Sequence, residues 1–127
     1  MSRTEISHFY LGRVTDHLKY GAFLEEHYGT DDDTPLSAFC ESQGELFVDH
    51  DFMEVGAREN EPTLKEFFYP YSYSEHWSET LCNIAKEHDL TDANVLLFIS
   101  KSEIENPVSV SAEGFELHYV GELEYPI

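Results

Sequence analysis

The sequence predicts an α+β domain, a central sheet of about four strands with helices packed mainly on one face. Three observations predict it. Stretches rich in aromatic and β-branched residues alternate with stretches whose apolar residues recur every three or four positions. Their order along the chain is strand, two helices, strand, two helices, then strands, with Gly, Pro and Asp punctuating the joins. The length of 127 residues, at 41% hydrophobic and 14% aromatic, suits a single core that buries roughly two-thirds of the unfolded surface. No internal repeat or low-complexity linker divides the chain, so residues 1–127 read as one domain, with 102–127 an acidic strand segment at its end.

His8 to Val14 (HFYLGRV) reads as the first strand, with Gly12 a bulge or a point of close packing. A helix follows, capped by Thr15 or Asp16, with Tyr20, Phe23, Leu24 and Tyr28 at helical spacing, Gly21 weakening it slightly and Gly29 in place for its C-terminal cap. Thr30 to Thr34 (TDDDT) is a solvated loop. Pro35 then opens a short helix through Phe39 and Cys40, stopped by Gly44. Leu46 to Ala57 (LFVDHDFMEVGA) is a polar lead-in loop and then a strand from about Phe52. Thr63 and Glu66 have capping-box spacing, giving a short helix over Thr63 to Tyr69 that Pro70 ends.

Ser74 is placed as the N-cap of the longest helix, where Trp77, Leu81, Ile84, Ala85 and His88 form one stripe and Glu75, Glu79 and Asn83 face away. Asn94 to Ser100 (NVLLFIS) is the most continuous apolar run and suits a strand covered on both faces, which makes it the expected central strand. Asn106 to Ala112 and Phe115 to Val120 form a looser, hairpin-like edge. Its second member alternates Phe115, Leu117 and Tyr119 against Glu116 and His118.

Charge narrows the classes of partner. With 26 Asp and Glu against 7 Lys and Arg, the formal charge is −19. A field of that sign repels nucleic acid and anionic lipid, so neither direct nucleic-acid binding nor a membrane surface is expected. The aromatic content sets the chain apart from an acidic disordered tail. No apolar run approaches the roughly 20 residues that span a bilayer, and Met1 to Glu5 lacks the order of a secretory signal, so the cytosol is the expected compartment. Cys40 and Cys82 have no Cys-x-x-Cys spacing and read as reduced, partly buried thiols. From Ser102 onward there are six Glu and no Lys or Arg, which gives any sheet edge there a negative charge that resists edge-to-edge aggregation.

Few residues invite catalytic chemistry. Asp49, His50, Asp51 and Glu54 are the types that bind a divalent cation or act as an acid–base pair, but in an extended strand Asp49 and Asp51 point opposite to His50 and Glu54, and only a bend or bulge converges them. Asp31, Asp32 and Asp33 lack the pattern of a calcium loop. The seven histidines, at 8, 17, 27, 50, 76, 88 and 118, show no metal-binding spacing. No nucleophile elbow, phosphate loop or dinucleotide fingerprint is present, so neither catalytic residues nor a cofactor are expected. Tyr71 and Tyr73 beside Glu75 and Glu79 instead have the composition of a patch that grips a basic protein surface, while Trp77, Phe67 and Phe68 read as core.

The motifs FYLG, GAFLEEHYG, PLSAFCESQG, VDHDFMEVGA, YSYSEHW and ANVLLFI occur in an order that resembles the immunity protein 22 family of bacterial polymorphic toxin systems, over about residues 8 to 100. The most specific pieces are Asp49, Asp51, Phe52 and Glu54 of the Asp-x-Asp-Phe-x-x-Glu stretch and Tyr71, Ser72, Tyr73 and Ser74 of the Tyr-Ser-x-Ser element. The segment after Lys101 is longer and more acidic than that pattern. The resemblance implies a small α+β cytosolic protein, made beside a toxin in a setting such as contact-dependent inhibition, that binds and neutralises the toxin without being an enzyme.

Charge points the same way, because a toxin that cuts nucleic acid presents a basic groove that a polyanionic protein can fill. The expectation is therefore a non-enzymatic inhibitor of a cognate toxin domain, a basic nuclease, acting through a patch of Asp31, Asp32, Asp33, Asp49, Asp51, Glu54, Tyr71, Tyr73, Glu75 and Glu79. The alternatives are a metal-dependent hydrolase using Asp49, His50, Asp51 and Glu54, and an acidic adaptor whose charge serves only solubility.

Overall fold

An eleven-residue strand, β1 (Thr4–Val14), is apolar on both of its faces and long enough to pair along both of its edges. In a computed structural model describing residues 3–28 and 33–127, it is the middle of an all-antiparallel, five-stranded sheet ordered β2-β3-β1-β5-β4. The others are β2 (Met53–Ala57), β3 (Val95–Ser100), β4 (Val110–Ala112) and β5 (Phe115–Pro126). The expected α+β class holds. The expected central strand, Asn94 to Ser100, is instead the neighbour of the middle strand. It is buried on both faces as predicted, but β1 has the length to hold both β3 and the whole of β5.

Alternation along the strands makes two cores rather than one. Phe9 and Leu11 of β1 join Leu96 and Phe98 of β3 on one face, and Tyr10 and Val14 join Val95, Leu97 and Ile99 on the other. The first face is covered by α3 (Leu64–Phe68) and α4 (Ser74–Glu87) through Phe67, Phe68, Trp77, Leu81 and Ala85. The second is covered by α1 (His17–Leu24) and α2 (Ala38–Ser42) through Tyr20, Phe39 and Cys40. The larger helical pair thus lies on one face as expected, and the shorter pair adds a third layer. A sheet whose strands β1 and β3 are apolar on both sides requires that second cover.

Local signals account for most boundaries. Asp16 caps α1, accepting from the backbone of Leu18 and Lys19 at 3.1 and 3.2 Å. The Thr63–Glu66 capping box forms, with Glu66 N–H donating to Thr63 Oγ1 at 3.2 Å. Gly12 is a point of close packing, since a Cβ there would stand 2.4 Å from the Glu116 carbonyl oxygen. Cys40 is buried, Cys82 is half-buried, and both are free thiols.

Several boundaries differ from expectation: β1 begins at Thr4 rather than His8, and β4 at Val110 rather than Asn106. The first helix ends at Leu24 rather than near Tyr28, because Glu25 turns extended and the His27 N–H bonds the Leu36 carbonyl at 2.6 Å. The proposed cap at Gly29 lies outside the described residues. The second helix begins at Ala38, capped by the Ser37 hydroxyl, and not at Pro35. Ser74 is the first residue of α4 and not its cap, since Tyr73 precedes it in the left-handed conformation at φ 60° and the Ser74 hydroxyl turns back to the Tyr69 carbonyl at 2.8 Å. His88 ends the helix in solvent rather than on the apolar stripe.

A further difference is β5, which runs past Val120 to Pro126. A register shift opposite Phe9 and Tyr10 leaves Val120 unpaired, with Gly121 at φ +123°. It reverses the alternation, so Phe115, Leu117 and Tyr119 serve the α1/α2 core while Val120, Leu123 and Tyr125 serve the other. Residues 102–127 therefore supply two of the five strands. The β4–β5 turn is also fastened to the start of α1, because the Gly114 carbonyl accepts the N–H groups of Thr15 and Asp16, both at 2.9 Å.

Candidate functional site

The two most specific sequence motifs meet at the β2 edge of the sheet. In register with Phe98 and Leu96, Glu54 and Gly56 of β2 face the α3/α4 side, where the turn joining those helices lies over them. Ser72 of that turn donates its hydroxyl to Glu54 Oε1 at 3.0 Å, with its N–H at 3.4 Å from the same oxygen. Its carbonyl accepts Trp77 Nε1–H at 2.9 Å, which anchors the turn in the buried aromatic cluster. Tyr71 occupies the space above Gly56, where a Cβ would lie 1.6 Å from its phenol oxygen. Glycine at 56 is thus the condition for seating Tyr71.

Beside this junction is a cleft of about 460 Å³, bounded by Asp51 to Glu54, Ser72 and Tyr73 on one side and by residues of β1, β3 and β5 on the other. Tyr73 lies against Tyr125, ring centroids 5.9 Å apart, and the Tyr125 phenol is 2.8 Å from the Ser7 hydroxyl. Glu5 accepts the Ser100 hydroxyl. Burial pushes the Tyr125 phenol up from its ordinary value, the hydrogen bond with Ser7 opposes this, and the charges of Glu5 and Glu54 add to the rise. Phe52, 59% exposed, stands at the rim, with Val55 also open to solvent.

No Lys or Arg is among the residues lining this cleft. Arg13 is held by Asp92 at 2.8 Å and Glu116 at 2.6 Å, Lys19 by Glu113 and Lys101 by Glu122, each at 2.9 Å. Arg58 donates to the carbonyls of Glu61, Thr91 and Ala93, and with Lys65 and Lys86 it lines a separate cleft of about 560 Å³ at α3 and α4.

Of the residues singled out from sequence, Asp51, Glu54 and Tyr73 line the acidic cleft and Tyr71 lies half-buried next to it. Asp49 is one step away at the head of a 3₁₀ turn (His50–Phe52), where its carboxylate accepts the Asp51 N–H at 2.9 Å. Glu75 and Glu79 are on the outward side of α4 and border a different groove, with Glu79 also reaching the cleft of the cations. Asp33 is exposed before α2. Asp31 and Asp32 lie outside the described residues. Sequence reasoning missed Glu5, Ser7, Ser100 and Tyr125, which come from chain segments about a hundred residues apart and are joined only by strand pairing.

The Asp49-His50-Asp51 stretch is not extended, so strand parity does not govern it. His50 Nδ1 instead pairs with Glu26 at 2.7 Å. Among the described residues no group of three or more His, Cys, Asp or Glu side chains is placed to hold a metal ion, so the hydrolase alternative has no ligand set there. Nor is any described helix long and apolar enough to cross a membrane.

Fold and site together define a small α+β protein with helices on both sides of an antiparallel sheet and an acidic, aromatic-lined cleft at one edge. The chain belongs to the family Immunity protein 22, whose model matches residues 8–126. The match continues through β4 and β5, beyond residue 100 where the motif resemblance stopped, so the acidic C-terminal segment is part of the family's extent. No curated protein and no solved structure matches the chain. Membership implies a toxin-neutralising role without an enzymatic activity of its own.

Proposed function

We propose that the protein binds a cognate toxin domain, a basic nuclease, through the acidic face around the β2 edge, and blocks it by covering its active site or an adjacent exosite in the cytosol of the producing cell. The observation that carries this reading is the convergence of the two motifs, through Glu54–Ser72 and Gly56–Tyr71, next to a cleft whose lining includes three carboxylates and no Lys or Arg. An enzyme that grips a polyanion needs a cationic groove, and a face of this composition complements it. Exposed Phe52 and Tyr73 supply the aromatic anchors that hold such interfaces once formed. At a screening length of about 8 Å in physiological salt, the remaining charge steers the encounter while only the contacting carboxylates hold the complex.

The experiment uses the toxin domain encoded next to this chain. Copurification tests binding, and stopped-flow mixing tests the face. Reversing Asp49 and Asp51 to Lys removes charge from this edge without touching the Glu54–Ser72 bond. The expected result is association slowed at least about tenfold, with a shallower salt dependence. Unchanged rates in a variant with a normal circular dichroism spectrum would reject the face.

A further inference from the structure

The acidic cleft is short of positive charge in a way that specifies an occupant, and this inference rests on the inhibitory reading above. Glu5, Asp51 and Glu54 line it, and the ion pairs among the described residues all lie elsewhere. Glu5 and Glu54 each engage one oxygen, Oε1, with the hydroxyls of Ser100 and Ser72, which leaves their Oε2 atoms free for a further donor. Much of the remaining lining is aromatic, with Tyr73 and Tyr125 inclined at 33° to one another. No Lys or Arg is among the lining residues, so these carboxylates have no cationic partner within the cleft. Next to the cleft, β2 pairs only with β3, so its other edge leaves room for an approaching chain.

We infer that the cleft receives an arginine side chain of the toxin. A guanidinium presents a flat face that stacks on a tyrosine ring and five N–H donors that reach carboxylate oxygens in the same plane, whereas an ammonium meets the charge without the stacking geometry. Both halves of that recognition are present here, the exposed ring of Tyr73, packed against the buried Tyr125, and the unengaged oxygens of Glu5, Asp51 and Glu54.

The test titrates the full chain with N-acetyl-arginine amide, N-acetyl-lysine amide and N-acetyl-citrulline amide and follows backbone and tyrosine ring resonances by NMR. Saturable shifts confined to the cleft are expected with the arginine compound, binding about threefold weaker with lysine and no saturation with citrulline. The double variant Glu5→Gln, Glu54→Gln keeps acceptors for Ser100 and Ser72. It is expected to weaken arginine binding about tenfold while its thermal midpoint holds or rises, whereas a purely structural role for the two carboxylates would lower the midpoint.

Equal response to citrulline or lysine, shifts scattered over the whole acidic surface, or unchanged affinity in the double variant would overturn the assignment. Those outcomes leave toxin binding by other parts of the face intact. Failure of the chain to copurify with its toxin would instead sink the inhibitory reading.

Discussion

Substituting Gly56 by Ala tests whether the two motifs form one mechanical unit. The new Cβ would fall 1.6 Å from the Tyr71 phenol oxygen, 2.2 Å from Cζ and 2.6 Å from Cε1, so the ring has to leave its seat. It has little freedom to do so, because it stands edge-on to Phe67 at 5.9 Å and the next residue is bonded to both Glu54 and Trp77. Overpacking of this kind costs about 1–3 kcal/mol. In a Tyr71→Ala background the obstacle is absent, and the same Gly56→Ala change is expected to cost under about 0.5 kcal/mol, so a double-mutant cycle should return a coupling of about 1–3 kcal/mol. Urea unfolding followed by the fluorescence of Trp77, the chain's single tryptophan, measures all four corners of the cycle. A Gly56→Ala cost that is the same with and without the Tyr71 ring would refute the reasoning, since the clash would then not be with that side chain.

Two further outcomes follow from the fold. Gly12→Ala sets a Cβ 2.4 Å from the Glu116 carbonyl oxygen and 2.9 Å from Val95 Cγ2, and because one neighbour is backbone, β5 must move away from β1; a loss of about 2–3 kcal/mol of unfolding free energy is expected, measured by urea denaturation. Burial pushes the phenols of Tyr10 and Tyr20 far above their ordinary value. Groups with raised pKa in the folded state lend stability that is complete below about pH 10, where the unfolded tyrosines begin to ionise, and that is lost as pH rises further. Thermal midpoints measured on the alkaline side should therefore fall above about pH 10, and less steeply in Tyr10→Phe, which at neutral pH costs about 1 kcal/mol for the bond to Gln43 Oε1.

Much of the fold was legible because its signals are local. Capping by Asp16 and by Thr63 with Glu66, the strand nature of the run ending at Ser100, the outward Glu75 and Glu79, and the core roles of Phe67, Phe68 and Trp77 need only neighbours within a turn or two. The misplaced boundaries have nonlocal causes. The first helix stops at Leu24 because the following chain bonds to residue 36, and α4 starts from a left-handed Tyr73 because the turn before it is tied to β2. Half of the cleft was visible as the Asp51–Glu54 and Tyr71–Ser74 motifs. The other half, Glu5, Ser7, Ser100 and Tyr125, carries no spacing signal, and Tyr125 reaches the cleft only because the shift at Val120 reverses the alternation of β5.

By itself the sequence determined the α+β class, the surplus of negative charge and the identity of the motifs, since these depend on composition and on periodicities of two and 3.6 residues. Tertiary structure alone decided that helices cover both faces, that β1 occupies the middle, and that carboxylates from β1 and β2 share one cleft while Arg58, Lys65 and Lys86 line another. The physical reason is that strand order and register are set by hydrogen bonds between segments far apart in the chain. Their partners compete through the total area buried, and no window of neighbouring residues contains that information.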